Sequence, residues 1–444
     1  MKLVYNINDK PKFGQLIIFA FQQLLAIMAA TVAVPMIVGN GMQPSAALFG
    51  AGVGTLIYVL FTKGKSPVFL GSSFAFLGSM PAAFAGAVSM EKGYAGLVLG
   101  TVFAGLVYVV IAAIVKVAGV KWVDKLMPKQ VIGPTVAIIG LSLAGNAVAD
   151  LQKGSYIVND APTANPLIAI VVGLVTLGVT VLCSVYGKKG VKLVPFIIGI
   201  ISGYAVGAIF TVIGISTGND ALRIINFDLF NDMGAFTVPD FTFLKAVKGF
   251  KEIDGAFVAS LAAAYVPVAF VVFAEHIADH KNISSIIGKD LLKEPGLHRT
   301  LMGDGIGSMV GAFFGGCPNT TYGESVACVA ITRNASVATI ITTAILAMLI
   351  SFVSPFVIFL NSIPSCVMGG VCMALYGFIA VSGLKMVQKV DLEDNRNLFV
   401  VSVILIAGIG GLVLDFGAIK ITSVATALIL GILMNIMLSK KAKA

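Results

Sequence analysis

Four carboxylates stand where the chain is otherwise apolar. Glu275 falls within VPVAFVVFAEHIADH (266–280), and Asp279 follows one helical turn later on the same face. Glu324 closes the broken stretch GGCPNTTYGE (315–324), and Asp304 sits between two glycines in GDG (303–305). An ionisable group inside an apolar span is a functional candidate by default. Carboxylates there can accept hydrogen bonds from N–H groups and carry a proton through a low-dielectric interior. The bland alternative is that some only pair with backbone or cap a helix. For Asp304 that alternative is preferred, since GDG also suits a polar contact between helices.

A metal is the sharper rival. His276 and His280 are four residues apart on one helix face, the spacing of paired zinc-binding histidines. Here, however, the glutamate precedes the first histidine instead of following it, and His298 falls in an expected cytoplasmic loop. His276 and His280, beside Lys281, read as interfacial residues at a span's cytoplasmic end. No metal site and no cofactor is expected.

The solvent around these residues follows from composition. The 444 residues are 58% hydrophobic and 11% charged, with a mean hydropathy of +0.98. A soluble chain carries about 25% charged residues, so this one is a membrane protein with the lipid bilayer as partner. Its five cysteines are odd in number and lie in or beside apolar runs, so they read as small hydrophobes. The net charge of +9 needs no nucleic acid, because cytoplasmic loops collect Lys and Arg.

Apolar runs of spanning length fall near 14–38, 44–62, 67–86, 94–118, 130–149, 164–186, 193–216, 255–280, 296–316, 317–333, 335–358, 363–384, 397–414 and 417–438, fourteen in all. The first lacks a small-residue cleavage site and reads as a span, not a signal peptide. With both termini cytoplasmic, 23 of the 30 basic residues, Lys188 and Lys192 among them, fall on cytoplasmic segments. Four of the other seven share one long loop, 217–254, where that bias is weaker.

Gly, Ser, Thr and Pro interrupt the third and tenth spans, which hold the same place in two halves of seven. An odd unit enters the membrane upside down on repetition, so the expected fold is all-α and polytopic, a 7+7 inverted repeat with its site at mid-membrane. VFLGSSFAF (68–76) and GGCPNTTYG (315–323) are each short, β-branched or aromatic, and flanked by glycine. As half-strands they can pair with each other and each lead into a half-helix, whose free amides suit a carbonyl-bearing ligand. Phe74 and Tyr322 would supply flat faces for a ring.

These residues resemble a known family. LGSSFAF (70–76), AEHIADH (274–280), KDLLKEPGLHRT (289–300), PNTTYGES (318–325), AITR (330–333) and PSCVMGG (364–370) are similar to the bacterial uracil permeases of the nucleobase/ascorbate transporter family. The resemblance runs through the whole chain in order. It implies antiparallel half-strands in spans three and ten, proton-coupled nucleobase uptake and a homodimer. It also implies a core domain (1–127 and 255–360) moving against a gate domain (128–254 and 361–444). Carried over by position, Glu275 and Glu324 match the substrate-binding glutamates, and Phe74, Tyr322 and Gly323 the aromatic and main-chain contacts. Glu275, Asp279 and Glu324 are the proton-coupling candidates, with Asn319 and Ser325 supporting the site.

Two departures from the family pattern stand near that site. Asp279 occupies a position where the permeases carry histidine, and Ser325-Val326-Ala327 replaces an Asn-x-Gly signature. Asp279 is therefore expected either to take part in proton traffic or to replace the histidine's water-bridged link to residue 325. The function so implied is uracil import by proton symport at the plasma membrane, without enzyme activity. The alternative is a symporter for another nucleobase such as xanthine. A passive channel fits buried carboxylates and half-helices less well than an occluding site does.

Overall fold

The computed structural model describes residues 3–439 apart from 86, 120, 159–160, 232 and 417–419. The terminal lysines Lys2, Lys440, Lys441 and Lys443 lie outside the described residues, as do the expected span edges at 86 and 417. The first part of the chain forms α1 (Phe13–Val38), α2 (Pro44–Phe61), β1 (Leu70–Ser72), α3 (Met90–Ala118), α4 (Lys121–Leu126), α5 (Lys129–Ser142) and α6 (Ala144–Asp150). A small hairpin, β2 (Ile157–Val158) and β3 (Ala161–Pro162), leads to α7 (Pro166–Tyr186), α8 (Lys189–Leu193), α9 (Pro195–Thr217) and α10 (Thr242–Gly249). Then come α11 (Gly255–Ile287), α12 (Leu297–Gly315), β4 (Asn319–Thr321), α13 (Gly323–Thr332), α14 (Val337–Ile350) and α15 (Ser354–Ser362). The last elements are α16 (Ser365–Val387), α17 (Asn395–Ile409), the pair β5 (Leu414–Asp415) and β6 (Lys420–Ile421), and α18 (Ser423–Ser439).

Eight helical stretches among the described residues are long and apolar enough to cross a membrane: α1, α2, α3, 129–150, α7, α9, α11 and α16. Four shorter apolar helices, α13, α14, α17 and α18, accompany them. The chain is thus a mostly helical, multi-pass membrane protein. Local chemistry sets the helix ends. Proline opens α2, α7 and α9, where its missing N–H costs nothing. Asp254 caps α11 by accepting from the Phe257 amide at 2.8 Å. Lys92 donates to Asp254 at 2.9 Å, a bond that holds this carboxyl below the usual carboxylate range.

Several expected spans have different bounds, and two show why. The run at 335–358 divides into α14 and α15, because Pro355 stands in the first turn of α15 and cannot continue the preceding helix. The span expected to end at 280 continues to Ile287, where Gly288 takes the left-handed conformation, φ +69°, and stops it.

The helices pack in two groups. In one, α12 lies against α2 and α3, α11 against α3, and α14 against α1 and α2. In the other, α5 packs on α16, α17 and α18, and α7 on α9 and α16. The groups meet where α11 touches α5 and α18, and where α1 touches α9 and α16. Glycines bring α2 and α12 together: a Cβ on Gly50 would lie 2.3 Å from the Gly311 carbonyl oxygen, and one on Gly54 2.7 Å from that of Gly307.

Inside the first group, β1 and β4 pair antiparallel, with Leu70 opposite Thr321, Gly71 opposite Thr320 and Ser72 opposite Asn319. Irregular backbone at such depth needs partners from the protein, and neighbouring helices supply them. Thr55 Oγ1 on α2 accepts from the Leu70 amide (2.9 Å) and donates to its carbonyl (3.2 Å). Ser308 Oγ on α12 accepts from the Asn319 amide at 2.9 Å, and Asn319 Nδ2 donates to the Gly50 carbonyl at 3.3 Å. Beyond β4 the chain enters α13. Beyond β1 it enters two short 3-10 turns, Phe74–Gly78 and Met80–Ala83, instead of an α-helix. Pro81, which has no N–H to donate, stands in the second of these.

Candidate functional site

The passage GGCPNTTYGES is built to stop one helix, cross as a strand and start another. Gly316 takes φ +73° at the end of α12, and Pro318 cannot extend that helix. Three residues then pair with β1, Tyr322 is the N-cap of α13, and Glu324 lies in its first turn. The amides at this helix start, with the dipole's positive end, suit an anion or a carbonyl oxygen.

A cavity of about 340 Å³ opens against this start, at the small end of the size range of small-molecule pockets. Phe74, Glu275, Asp279, Tyr322, Gly323 and Glu324 all line it. The first helix group thus supplies its acidic and aromatic wall. Val136 of α5, Phe196 of α9 and Phe378 of α16 form the facing apolar wall from the second group. The three carboxylate residues are half-buried, with Glu275 and Asp279 on the cavity side of α11.

Tyr322 is fixed from two sides. Its hydroxyl donates to the Ser72 carbonyl at 2.8 Å, and its ring lies where a Cβ on Gly71 would stand, 2.3 Å away. Only glycine at position 71 admits that ring. Phe74 meets Tyr376 of α16 edge to face at 5.6 Å. The cavity therefore presents carboxylates at its polar edge and aromatic side chains in its walls, an arrangement suited to a flat ring carrying N–H groups.

Asn319 and Ser325 lie behind the cavity. Ser325 Oγ accepts from Gln23 Nε2 of α1 at 2.5 Å and from the Phe69 amide at 3.0 Å, which ties the start of α13 to α1 and to the chain entering β1. Asp279 Oδ2 accepts from Thr321 Oγ1 at 2.9 Å.

The expectation that His276 and His280 are interfacial is also corrected. Both are fully buried, because α11 continues past them by two turns and places them inside the bundle. His276 Nδ1 is 2.7 Å from Asp304 Oδ2, and its Nε2 is 2.9 Å from Thr300 Oγ1. His280 donates from Nδ1 to the His276 carbonyl at 2.8 Å, and its Nε2 lies 2.7 Å from the Tyr58 hydroxyl. Asp304 thus makes the polar helix–helix contact read from its glycine neighbours. His298, expected in a loop, falls within the first turn of α12. No cluster of His, Cys, Asp and Glu able to hold a metal occurs among the described residues.

Three residues of the site escaped sequence reading. Gln23 left one usable signal, a pair of glutamines (Gln22 and Gln23) inside an apolar helix. Thr321 left none, since any polar residue can end a half-strand. Lys192 lines the cavity but reads in sequence as one of several loop lysines.

Paired strands held within a helical bundle, beside an acid-lined cavity between two helix groups, define a multi-pass membrane protein with a small-molecule site. The chain belongs to the Permease family: the family model Xan_ur_permease matches residues 14–416. It is 39% identical to the uracil permease of Bacillus caldolyticus over 448 residues, 100% of this chain and 96% of that one. Identity to the uracil permease of Bacillus subtilis (strain 168) is 37% over 445 residues, 98% of this chain and 95% of that one. The uracil permease of Escherichia coli (strain K12) is 35% identical, with 96% of this chain and 92% of that one covered.

Among solved structures, the transmembrane domain of the cyanobacterial bicarbonate transporter BicA superposes with a TM-score of 0.64 at 15% identity, covering 97% of this chain and 100% of that one. The murine Solute Carrier 26 family member A9 anion transporter superposes with a TM-score of 0.65 at 12% identity, covering 98% of this chain and 69% of that one. At these identities the likeness is one of fold.

Proposed function

We propose that this chain is a secondary active transporter that imports uracil together with a proton, and that it is not an enzyme. The observation that carries the reading is the shared cavity of Glu275, Glu324, Phe74 and Tyr322. Uracil is flat, with N–H donors and carbonyl acceptors alternating around its edge. Glu275 and Glu324 accept its N–H groups, main-chain amides at Gly323 and the start of α13 meet a carbonyl, and the aromatic side chains cover its faces. Each polar group left unpaired on burial would cost about 1–3 kcal/mol, so a base with a different donor pattern is disfavoured. The relatives named uracil permease, similar over nearly the whole chain, support the same substrate.

In this reading the core domain is 1–127 with 255–360 and the gate domain is 128–254 with 361–444. Fourteen spans form an inverted 7+7 repeat, both termini are cytoplasmic, and two copies form a homodimer in the plasma membrane. The placement of the cavity between two packed helix groups supports alternating access by movement of one group against the other. The coupling proton is carried among Glu275, Asp279 and Glu324. One proton entering with a neutral base gains about 2.3 kcal/mol per 100 mV, which is roughly fiftyfold accumulation at about 1.4 kcal/mol per tenfold.

Uptake of labelled uracil into vesicles holding the purified protein tests this reading. Accumulation should collapse with a protonophore and be competed by unlabelled uracil more strongly than by xanthine. Preference for xanthine, or equilibration without accumulation, would replace it by a carrier for another nucleobase or by a passive path.

A further inference from the structure

A second cavity of about 340 Å³ lies apart from the acid-lined one, with walls from α1, α9 and α15. Met28, Ala29 and Val32 face it from near the middle of α1, and Ile200 and Ile201 from the second turn of α9. Phe356 and Phe359 close it from α15. All the described side chains that line it are apolar. The recess crosses the seam between the two helix groups, since α1 and α15 pack with α2, whereas α9 packs with α7 and α16. Its walls are held in place. The Phe359 ring stands 5.1 Å from that of Tyr204 on α9, and the Tyr204 hydroxyl is 2.8 Å from Ser362 Oγ at the end of α15.

Depth and mouth together select an occupant. Met28, Ala29, Val32 and Ile200 are buried, so the floor is out of reach of a flat surface. Ile201 is 55% exposed and continues an outward apolar face of α9 through Ile209 and Val212. On a helix long and apolar enough to span, that face meets hydrocarbon. Water finds no partner among such walls, and an apolar cavity of about 150 Å³ already stays dry and takes up benzene. A second copy of this chain would need about 800 Å² on each side for a stable interface, whereas Ile201 alone among the lining residues is exposed. A flexible chain of methylene groups meets every condition.

We propose that this recess is a binding site for one acyl chain of a bilayer lipid, taken up sideways from the hydrocarbon. The chain fills a void that would otherwise destabilise the bundle in proportion to its volume. Bound there, it touches both helix groups. It also backs the wall of the acid-lined cavity, because Phe196 faces that cavity and the next residue, Ile197, faces the recess.

The test is photochemical and uses the purified full chain in phosphatidylglycerol vesicles that carry a trace of the same lipid with a diazirine on its acyl chain. After illumination, peptide mapping by mass spectrometry should find adducts on the floor residues Met28 and Ile200 as well as on outward-facing Val212. Ala29→Phe, which fills the floor, should lose the adducts at Met28 and Ile200 and keep those at Val212. Ile200→Phe fills it from the facing helix and should lose those at Met28, so a folding defect in one variant leaves the other to decide. A diazirine carried on the headgroup instead should label neither floor residue. Adducts confined to outward-facing residues such as Val212, floor adducts that survive both substitutions, or floor labelling by the headgroup probe would overturn the proposal.

Discussion

Thr321 and Asp279 are joined by a 2.9 Å hydrogen bond that ties the last residue of β4 to the cavity face of α11. The other carboxylate oxygen, Oδ1, points toward Gly323, 3.8 Å from where a Cβ on that residue would stand. One oxygen is thus occupied by the protein while the other is turned to the part of the cavity where main chain is bare. This geometry suits a group that gains and loses a proton without moving.

Asp279→Asn keeps an oxygen to accept from Thr321 but cannot ionise. Proton-driven accumulation of uracil in vesicles should fall about tenfold or more, while equilibrium affinity changes by less than about threefold. Normal accumulation in this variant would leave Asp279 with no part in coupling.

The buried pair His276–Asp304 makes a stability prediction. His276→Ala leaves Asp304 and Thr300 without the ring nitrogens they face, and a buried polar group left unpaired costs about 1–3 kcal/mol, so this variant should lower thermal stability in detergent. A chelator should change neither the stability nor the transport of the wild type, because these histidines bond to Asp304, Thr300 and Tyr58 and not to a metal. Loss of stability on chelation would revive the zinc alternative.

Close glycine packing makes a second. An alanine Cβ at Gly50 would stand 2.3 Å from the Gly311 carbonyl oxygen, a backbone atom that cannot swing away. Gly50→Ala must push α2 from α12 and disturb Asn319, which bonds the Gly50 carbonyl. Folded yield by size-exclusion chromatography should collapse. Gly145→Ala, where a Cβ meets nothing within 4 Å, is the matched control.

Much of this architecture was legible in sequence because hydrocarbon leaves so few options. A strand-like run of Gly, Ser, Thr and Asn between apolar helices must find partners inside the protein, and β1 and β4 lie within the two stretches so marked. Depth along a helix was harder to read. Lys281 suggested the end of a span, yet α11 continues to Ile287, and the two histidines before that lysine are therefore buried. Side-chain pairings were not legible at all. Nothing in the order of residues says that Ser325 bonds Gln23, some 300 positions away.

Orientation in the membrane can be checked by labelling. Lys188 and Lys248 are both exposed, one at the start of α8 and the other near the end of α10. Single cysteines at these positions, in a chain whose five native thiols are replaced, should react with an impermeant maleimide from opposite sides. Lys188→Cys should react only from the cytoplasm. Labelling of both from one side would overturn the proposed span count.

The sharpest test concerns Glu324, at the start of α13 beside the bare backbone of Gly323. An ionised carboxylate only accepts hydrogen bonds, whereas an amide both accepts and donates. Against uracil, Glu324→Gln exchanges a charge-assisted bond to a ring N–H for a neutral one, and it points an N–H₂ group at an edge that already carries N–H. The loss should be about 2 kcal/mol or more, near thirtyfold in affinity. Glu275→Gln, on the facing helix, should abolish uptake with the protein still folded and inserted. Purines with another donor order need not suffer the same penalty at position 324, so xanthine binding should fall less than uracil binding and can rise. Competition binding of uracil and xanthine to purified wild type and Glu324→Gln decides the matter. If uracil affinity is the same in both, the carboxylate does not face the ring, and the assignment of GGCPNTTYGES as the substrate half of the site is wrong.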